Sequence, residues 1–294
     1  MSWWQIHYAT DAQHADALSD HLNELGAVSV TYADDADQPL FEPPPGATPL
    51  WRAVKVTGLF EVQTDIDAVA AAVAARSGHL PVAEGGITRL EDQDWTRAWL
   101  QYFKPMQFGA RLWVVPTAYE PPDPAAVNIR LDPGLAFGTG THATTALCLQ
   151  WLGGHPLVGL DVIDFGCGSG ILAVGAALLG ARQVWAVDID PQALVATRDN
   201  AQLNGVSTSI HTGLAKALNA PPVDIVVANI LALPLCELAA DLAMRVKPGG
   251  WIVLSGLLKD QFEQVSAAYK PWFGSIERLD REDWVRIVAL RHGA

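Results

Sequence analysis

The stretch Asp161-Val162-Ile163-Asp164-Phe165-Gly166-Cys167-Gly168-Ser169-Gly170 decides the fold of this chain. Its first five residues have the apolar character of a buried strand, and three glycines at alternate positions follow them. The next residues predict a helix over 171–180. A strand that leads through a glycine-rich loop into a helix brings bare backbone against a ligand, because a Cβ atom would block the approach.

Strands and helices continue to alternate after this loop. Asp190 and Pro191 form an N-cap followed by proline at the first helical position. Such alternation predicts an α/β fold with a doubly wound parallel sheet covered by helices on both faces. The predicted strands are 184–188, 223–228 and, after a turn at 247–250, 251–255, with 273–279 and 284–290 as a closing antiparallel pair.

The spacing of the glycines separates two kinds of cofactor loop. The dinucleotide fingerprint requires glycines at the first, third and sixth positions, and the sixth position here is Ile171. Glycines at the first, third and fifth positions, preceded by Asp164, instead resemble the S-adenosylmethionine loop of class I methyltransferases, which have a Rossmann-like sheet. We therefore expect Gly166 and Gly168 to bind S-adenosyl-L-methionine.

Two polar side chains end the neighbouring predicted strands. Asp188 can accept hydrogen bonds from two vicinal ribose hydroxyls, and its alternative role as a helix N-terminal charge is already filled by Asp190. Asn229 ends an otherwise apolar strand, where its amide oxygen can orient a substrate amine, so we expect it to be catalytic. The alternative for Asn229 is a helix cap for the segment at Pro234.

The segment 131–145 precedes the first strand of the sheet and combines three glycines and four threonines with Phe137 and His142. This density of hydrogen-bonding groups exceeds what a connection needs, and we expect the loop to fold over the cofactor. His142 is open to two interpretations, a structural hydrogen-bonding group or a base, and the first is the more common role of a lone histidine.

The first 90 residues predict a separate small domain. The order strand–helix–strand occurs twice, which favours an α+β fold of ferredoxin-like type. Thr10 and Thr64 are the predicted helix N-caps, and Gly26 and Gly78 the predicted ends. Residues 91–120 are an aromatic linker, with Trp95, Trp99 and Tyr102 on one face of a helix and a strand over 111–115, and residues 121–294 form the methyltransferase domain.

Composition limits the partners. The net charge is −13 with an isoelectric point near 4.9. Residues 1–90 hold four basic against twelve acidic residues, a net charge of −8. The acidic balance of the chain argues against nucleic acid and favours a basic protein or a cationic small molecule, with ordinary solubility charge as the alternative. We expect residues 1–90 to be a recognition module, although they could instead merely cap the larger domain. Three scattered cysteines and the absence of a signal sequence predict a cytoplasmic location without a metal site. No apolar stretch is suited to cross a membrane, and we expect a monomer.

The motifs together resemble the bacterial ribosomal protein methyltransferase family PrmA. The matching runs are Leu131–His142, Ile163–Gly170, Asp188–Pro191 and Ala228–Leu231. The resemblance implies an S-adenosylmethionine-dependent enzyme that methylates lysine side chains and the N-terminal α-amine of the eleventh large-subunit ribosomal protein. It also implies cofactor contacts at Thr145, Gly166, Asp188 and Asn229. Ala143 departs from the proline expected in the loop, and residues 211–214 lack an acidic residue for the adenine amine.

The resemblance leaves alternatives that the residues alone do not remove. One is a class I methyltransferase acting on another amine, in a nucleic acid or a small molecule. A nicotinamide-dependent dehydrogenase is opposed by Ile171, and a non-enzymatic binding module by Asn229 and the loop at 137–145. The expected chemistry is in-line attack of a neutral amine on the methyl group, in a pocket that includes Phe137, without a dedicated base.

Overall fold

The computed structural model describes residues 2–38, 48–77, 82–91, 103–132 and 140–293. The chain divides into two compact units, Met1–Ala98 and Trp99–Ala294.

The first unit is a four-stranded sheet with two helices. Every neighbouring pair of strands is antiparallel, and the order is β2-β3-β1-β4. One face of the sheet is buried against both helices, through residues such as Ile6, Val56, Phe60, Leu22 and Val73. The elements are β1 (Ser2–Asp11), α1 (Ala15–Glu24), β2 (Ser29–Asp34), β3 (Ala53–Glu61), α2 (Ile66–Ser77) and β4 (Val82–Glu91).

Both predicted threonine caps in this unit are wrong. Thr10 lies in β1, paired with Val54, and the turn into α1 is held by Asp11, whose carboxylate accepts the backbone N–H groups of Gln13 (2.9 Å) and His14 (3.1 Å). At α2 the acceptor is Asp65 rather than Thr64. Asp65 is therefore the cap of α2, because its Oδ1 accepts the Ala68 N–H (3.1 Å). At α1 the N-cap position is His14 rather than Thr10, because Thr10 and Asp11 both still belong to β1; the His14 side chain makes no cap hydrogen bond.

The end of α1 agrees with the prediction. Gly26 adopts φ +94°, and its N–H donates to the Asn23 carbonyl while that of Ala27 donates to Leu22. Gly78 lies outside the described residues, as do Trp95, Trp99 and Tyr102 of the predicted linker helix.

The second unit begins with a small three-stranded sheet, β5 (Met106–Phe108), β6 (Leu112–Val115) and β7 (Val127–Arg130). The predicted strand at 111–115 is present as β6. Phe103, Phe108 and Leu112 enter the same core as the helix α3 (Ala143–Gly154). The later part of the segment expected as a linker is therefore integrated into the folded unit, because its aromatic side chains are buried there.

The main sheet has seven strands in the order β10-β9-β8-β11-β12-β14-β13. The first five are mutually parallel, and β14 is antiparallel to both of its neighbours. The turn predicted at 247–250 lies inside the long strand β12. The strands are β8 (Asp161–Phe165), β9 (Gln183–Asp188), β10 (Ile210–Leu214), β11 (Val223–Asn229), β12 (Val246–Leu258), β13 (Phe273–Arg281) and β14 (Trp284–Arg291).

Helices cover both faces of this sheet, because its central strands have buried apolar side chains on both faces. Val162 and Val227 point into one core, and Ile163 and Val226 into the other. The described helices of this unit are α3, α4 (Ile171–Leu178), α5 (Pro191–Leu203), α6 (Ala232–Glu237), α7 (Ala239–Arg245) and α8 (Phe262–Tyr269). Among the described residues no helix has the length and apolar character needed to cross a bilayer.

Candidate active site

Three of the predicted site residues lie level with one another at the carboxyl edge of the sheet. Phe165 of the central strand β8 is opposite Val187 of β9 and Ala228 of β11. The next residues along the three strands are Gly166, Asp188 and Asn229. Since neighbouring strands are about 4.8 Å apart, Asp188 and Asn229 are separated by roughly 10 Å across the glycine loop. The strand order reverses at β8, where ligands bind in open α/β sheets.

The glycine loop has a backbone conformation that other residues adopt poorly. Gly166, Gly168 and Gly170 have φ values of +80°, +53° and +78°. A Cβ atom at Gly170 would lie 2.7 Å from the side chain of Thr197 on α5. Thr197 donates a hydrogen bond to the Gly168 carbonyl (3.1 Å), so α5 holds the loop in shape. Sequence reasoning missed Thr197, because a threonine in a helix carries no signal of this contact.

Asp188 is hydrogen-bonded to the glycine loop through one of its carboxylate oxygens. Oδ2 accepts the N–H of Gly168 (2.9 Å) and Oδ1 that of Asp190 (3.0 Å). The N-cap of α5 is Asp190, whose side chain accepts the Gln192 N–H at 2.9 Å, as predicted. Each oxygen of Asp188 keeps a second lone pair, which suits a ligand with two adjacent hydroxyl groups.

Asn229 contacts Thr145 in the first turn of α3. Its Nδ2 donates to Thr145 Oγ1 at 3.3 Å, while its Oδ1 is buried and has no hydrogen-bond partner among the described residues. The alternative role of Asn229 as a cap is wrong, because α6 begins after Leu231 and no side-chain cap is recorded there in the described chain. A buried carbonyl oxygen without a donor costs free energy, and a ligand N–H would relieve this cost.

Asp164 is the most unusual carboxyl group near the loop. Its Oδ2 accepts the N–H of Ala173 (3.0 Å), which caps α4 in place of the side chain that Gly170 lacks. Its Oδ1 is buried and unpaired within the described part of the chain. Burial raises the pKa of Asp164 to about 7; the Ala173 hydrogen bond opposes this shift, and the charge of Asp188 adds to it.

His142 has a structural position at the N-terminus of α3. Its Nδ1 accepts the N–H of Thr144 at 3.4 Å, and its ring packs edge-on against Trp284 with centroids 4.7 Å apart. These contacts favour the hydrogen-bonding role over that of a base. Phe137 and the rest of 133–139 lie outside the described residues. Within the described ranges no cluster of three or more histidine, cysteine or acidic side chains could hold a metal ion.

Known proteins resemble this chain along its whole length. Residues 2–292 match the model of the family described as ribosomal protein L11 methyltransferase (PrmA). A ribosomal protein L11 methyltransferase of Azotobacter vinelandii is 52% identical over 99% of this chain and 100% of the relative. One from Haemophilus ducreyi is 50% identical over 99% and 100%. A crystal structure of the ribosomal protein L11 methylase of Lactobacillus delbrueckii subsp. bulgaricus covers 65% of this chain and all of that one, with 32% identity and a TM-score of 0.59.

Proposed function

The chain belongs to the ribosomal protein L11 methyltransferase (PrmA) family, and on that premise we propose that it transfers methyl groups from S-adenosylmethionine to amines of ribosomal protein L11. The acceptors are lysine side chains and the N-terminal α-amine. The observation that carries the proposal is the buried, unpartnered amide oxygen of Asn229, level with the glycine loop and Asp188 in the described part of the chain.

The residues at the carboxyl edge fit S-adenosylmethionine. When bound, this cofactor supplies an electrophilic methyl group on a positively charged sulfur. Gly166 and Gly168 offer backbone without side chains, and Asp188 has lone pairs free for the ribose hydroxyls. Thr145 adds a hydroxyl from α3 beside Asn229. The carboxylate of Asp188 provides a negative potential that a cation favours.

Asn229 is the residue that we propose to orient the acceptor. Because its Nδ2 is engaged by Thr145, its Oδ1 is the atom left to accept a hydrogen bond from an amine N–H. Accepting that bond aims the nitrogen lone pair towards the methyl group, and positioning of this kind is a large part of catalysis. A lysine amine is neutral in roughly one molecule per thousand at pH 7.4, a cost of about 4 kcal/mol. Exclusion of water around the amine lowers its pKa and reduces that cost.

Residues 1–90 are, in this proposal, the substrate-recognition domain. Their net charge of −8 complements a basic ribosomal protein and steers it towards the site. The division into recognition domain, linker at 91–120 and methyltransferase domain at 121–294 belongs to the same proposal. So do a cytoplasmic location and a monomeric state without direct nucleic acid contact.

Mass spectrometry of L11 after incubation with the enzyme and isotope-labelled cofactor tests the proposal. Labelled methyl groups on lysines and on the α-amine are expected. If L11 stays unlabelled, a cell lysate incubated in the same way and then treated with protease or nuclease identifies another acceptor. Label that survives protease but not nuclease would overturn the proposal in favour of a nucleic acid methyltransferase.

A further inference from the structure

Ile230, which directly follows Asn229, fills the space left by two glycines on neighbouring strands. A Cβ atom built on Gly166 would lie 2.3 Å from Ile230 Cγ2. A Cβ atom built on Gly256, in β12, would lie 2.3 Å from the carbonyl oxygen of Ile230, 2.8 Å from its carbonyl carbon and 3.0 Å from its nitrogen. The side chain of Ile230 therefore packs closely against the cofactor loop at Gly166, and its backbone packs closely against Gly256 of β12.

A Cβ atom at Gly170 would come comparably close to Thr197 (2.7 Å), while several other glycines with positive φ have open space around them. Gly205 and Gly249 have φ values of +68° and +75°, and a Cβ atom there would meet no described atom within 4 Å. At these two positions only the positive φ requires glycine. Gly166 (φ +80°) and Gly256 (φ +88°) meet the conformational requirement and also make room for the same residue.

Ile230 is joined by one peptide bond to Asn229, whose amide oxygen is the proposed hydrogen-bond acceptor for the substrate amine. The direction of the Asn229 side chain depends on its backbone. The backbone of the next residue, Ile230, is held by Gly256, and the Ile230 side chain is held by Gly166. Thr145 fixes the other end of the amide through Nδ2. We propose that Ile230 is a positioning residue that couples the amide of Asn229 to the cofactor loop at Gly166. The methyl-accepting amine and the methyl-donating cofactor are thereby kept at a fixed separation. This inference rests on the proposed methyl transfer.

The expected effect falls on turnover more than on substrate binding. An error of about 1 Å in the position of a reacting group can reduce a rate by roughly a hundredfold. Ile230→Ala removes Cγ2 and leaves the loop and the amide free to shift. We expect it to lower kcat about tenfold or more, with the KM for L11 within about twofold. Ile230→Val keeps two methyl groups on Cβ, so we expect it to restore at least half of kcat.

The matched control is Ile210→Ala. Ile210 is the first residue of the edge strand β10, at the amino ends of the parallel strands and away from the site, and it is 8% exposed. We expect this truncation to lower stability, measured by urea unfolding, while kcat stays unchanged. If Ile230→Ala and Ile210→Ala affect kcat equally, or if Ile230→Val is as slow as Ile230→Ala, Ile230 has no positioning role.

A second arm measures the contact without turnover. Gly166→Ala collides with Ile230 Cγ2 and should weaken the binding of S-adenosylhomocysteine, measured by calorimetry. In the double variant with Ile230→Ala the nearest remaining atom of residue 230 is Cβ, at 3.8 Å, so part of the lost affinity should return. A double variant that binds no tighter than Gly166→Ala would overturn the proposed coupling. An unmodified L11 with the native enzyme would instead refute the proposed function and leave this arm valid.

Discussion

Replacing Asp164 by asparagine should change how stability depends on pH. In the folded chain the pKa of this carboxyl group is raised to about 7 from its ordinary value of 3.8, chiefly by burial. The folded state thus retains a proton up to about pH 7 that the unfolded chain has already released. Stability from this proton is fully present below the unfolded pKa and is lost as the pH rises through the folded pKa. The asparagine side chain carries no such proton, so the variant lacks this loss.

The magnitude follows from the width of that window. Each pKa unit corresponds to about 1.36 kcal/mol, and about two units lie between pH 5 and the folded pKa, which gives about 3 kcal/mol. Relative to the variant, the native chain should lose about that much unfolding free energy between pH 5 and pH 8. The asparagine oxygen can still accept the Ala173 N–H, and Asp188, Cys148 and Cys167 nearby are the same in both proteins.

Urea unfolding of both proteins at a series of pH values measures this difference directly. Asp199→Asn is the control, because Asp199 lies exposed on α5 and its replacement removes one charge without emptying a buried site. A difference between Asp164→Asn and the native chain that stays flat from pH 5 to pH 8 would refute the reasoning. It would mean that the carboxyl group is ionised in the folded protein throughout this range.

Three further predictions concern the proposed reaction. Asn229→Ala should lower the methylation rate at least about tenfold, because the oxygen proposed to orient the substrate amine is lost; near-native turnover would remove Asn229 from the catalytic role. Asp188→Asn should weaken S-adenosylhomocysteine binding about tenfold or more in calorimetry, since charged hydrogen bonds contribute about 1.5–3 kcal/mol each; unchanged affinity would exclude the ribose contact. Removing residues 1–90 should abolish methylation of L11 but preserve cofactor binding, and in the full chain the KM for L11 should rise with salt; full activity of the truncated chain would contradict a recognition role.

The sequence predicts the centre of the sheet well because local pattern is strong there. The strands β8, β9 and β11 are mainly apolar and lead to Gly166, Asp188 and Asn229, and the structure places these ends together. The cap of α5 is predicted because Asp190 and Pro191 are adjacent in the chain. At these strand ends and at this cap, the structure is determined by residues close together in the chain, so the sequence pattern predicts it.

Other features depend on contacts between distant segments. Thr145 and Asn229 are 84 residues apart, and the pairing of β6 with β7 brings Leu112 against Val127. The fit of Ile230 against Gly166 and Gly256 also arises only in the folded sheet. The wrong caps have different causes: β1 extends through Thr10 and Asp11, so that α1 begins only at Ala15, whereas at α2 the cap is the next residue, Asp65.

The two halves of the proposed site lie on different strands, on either side of β8, and this arrangement affects how the substrate range of such an enzyme can evolve. In the proposed site, the side chain for the ribose, Asp188, is carried by β9, and the group for the incoming nucleophile, Asn229, is carried by β11. Exchanging the tip of β11 for another side chain would alter which nucleophile is accepted without rebuilding the nucleotide-binding half. New acceptor chemistry can therefore arise at one position on an otherwise unchanged scaffold.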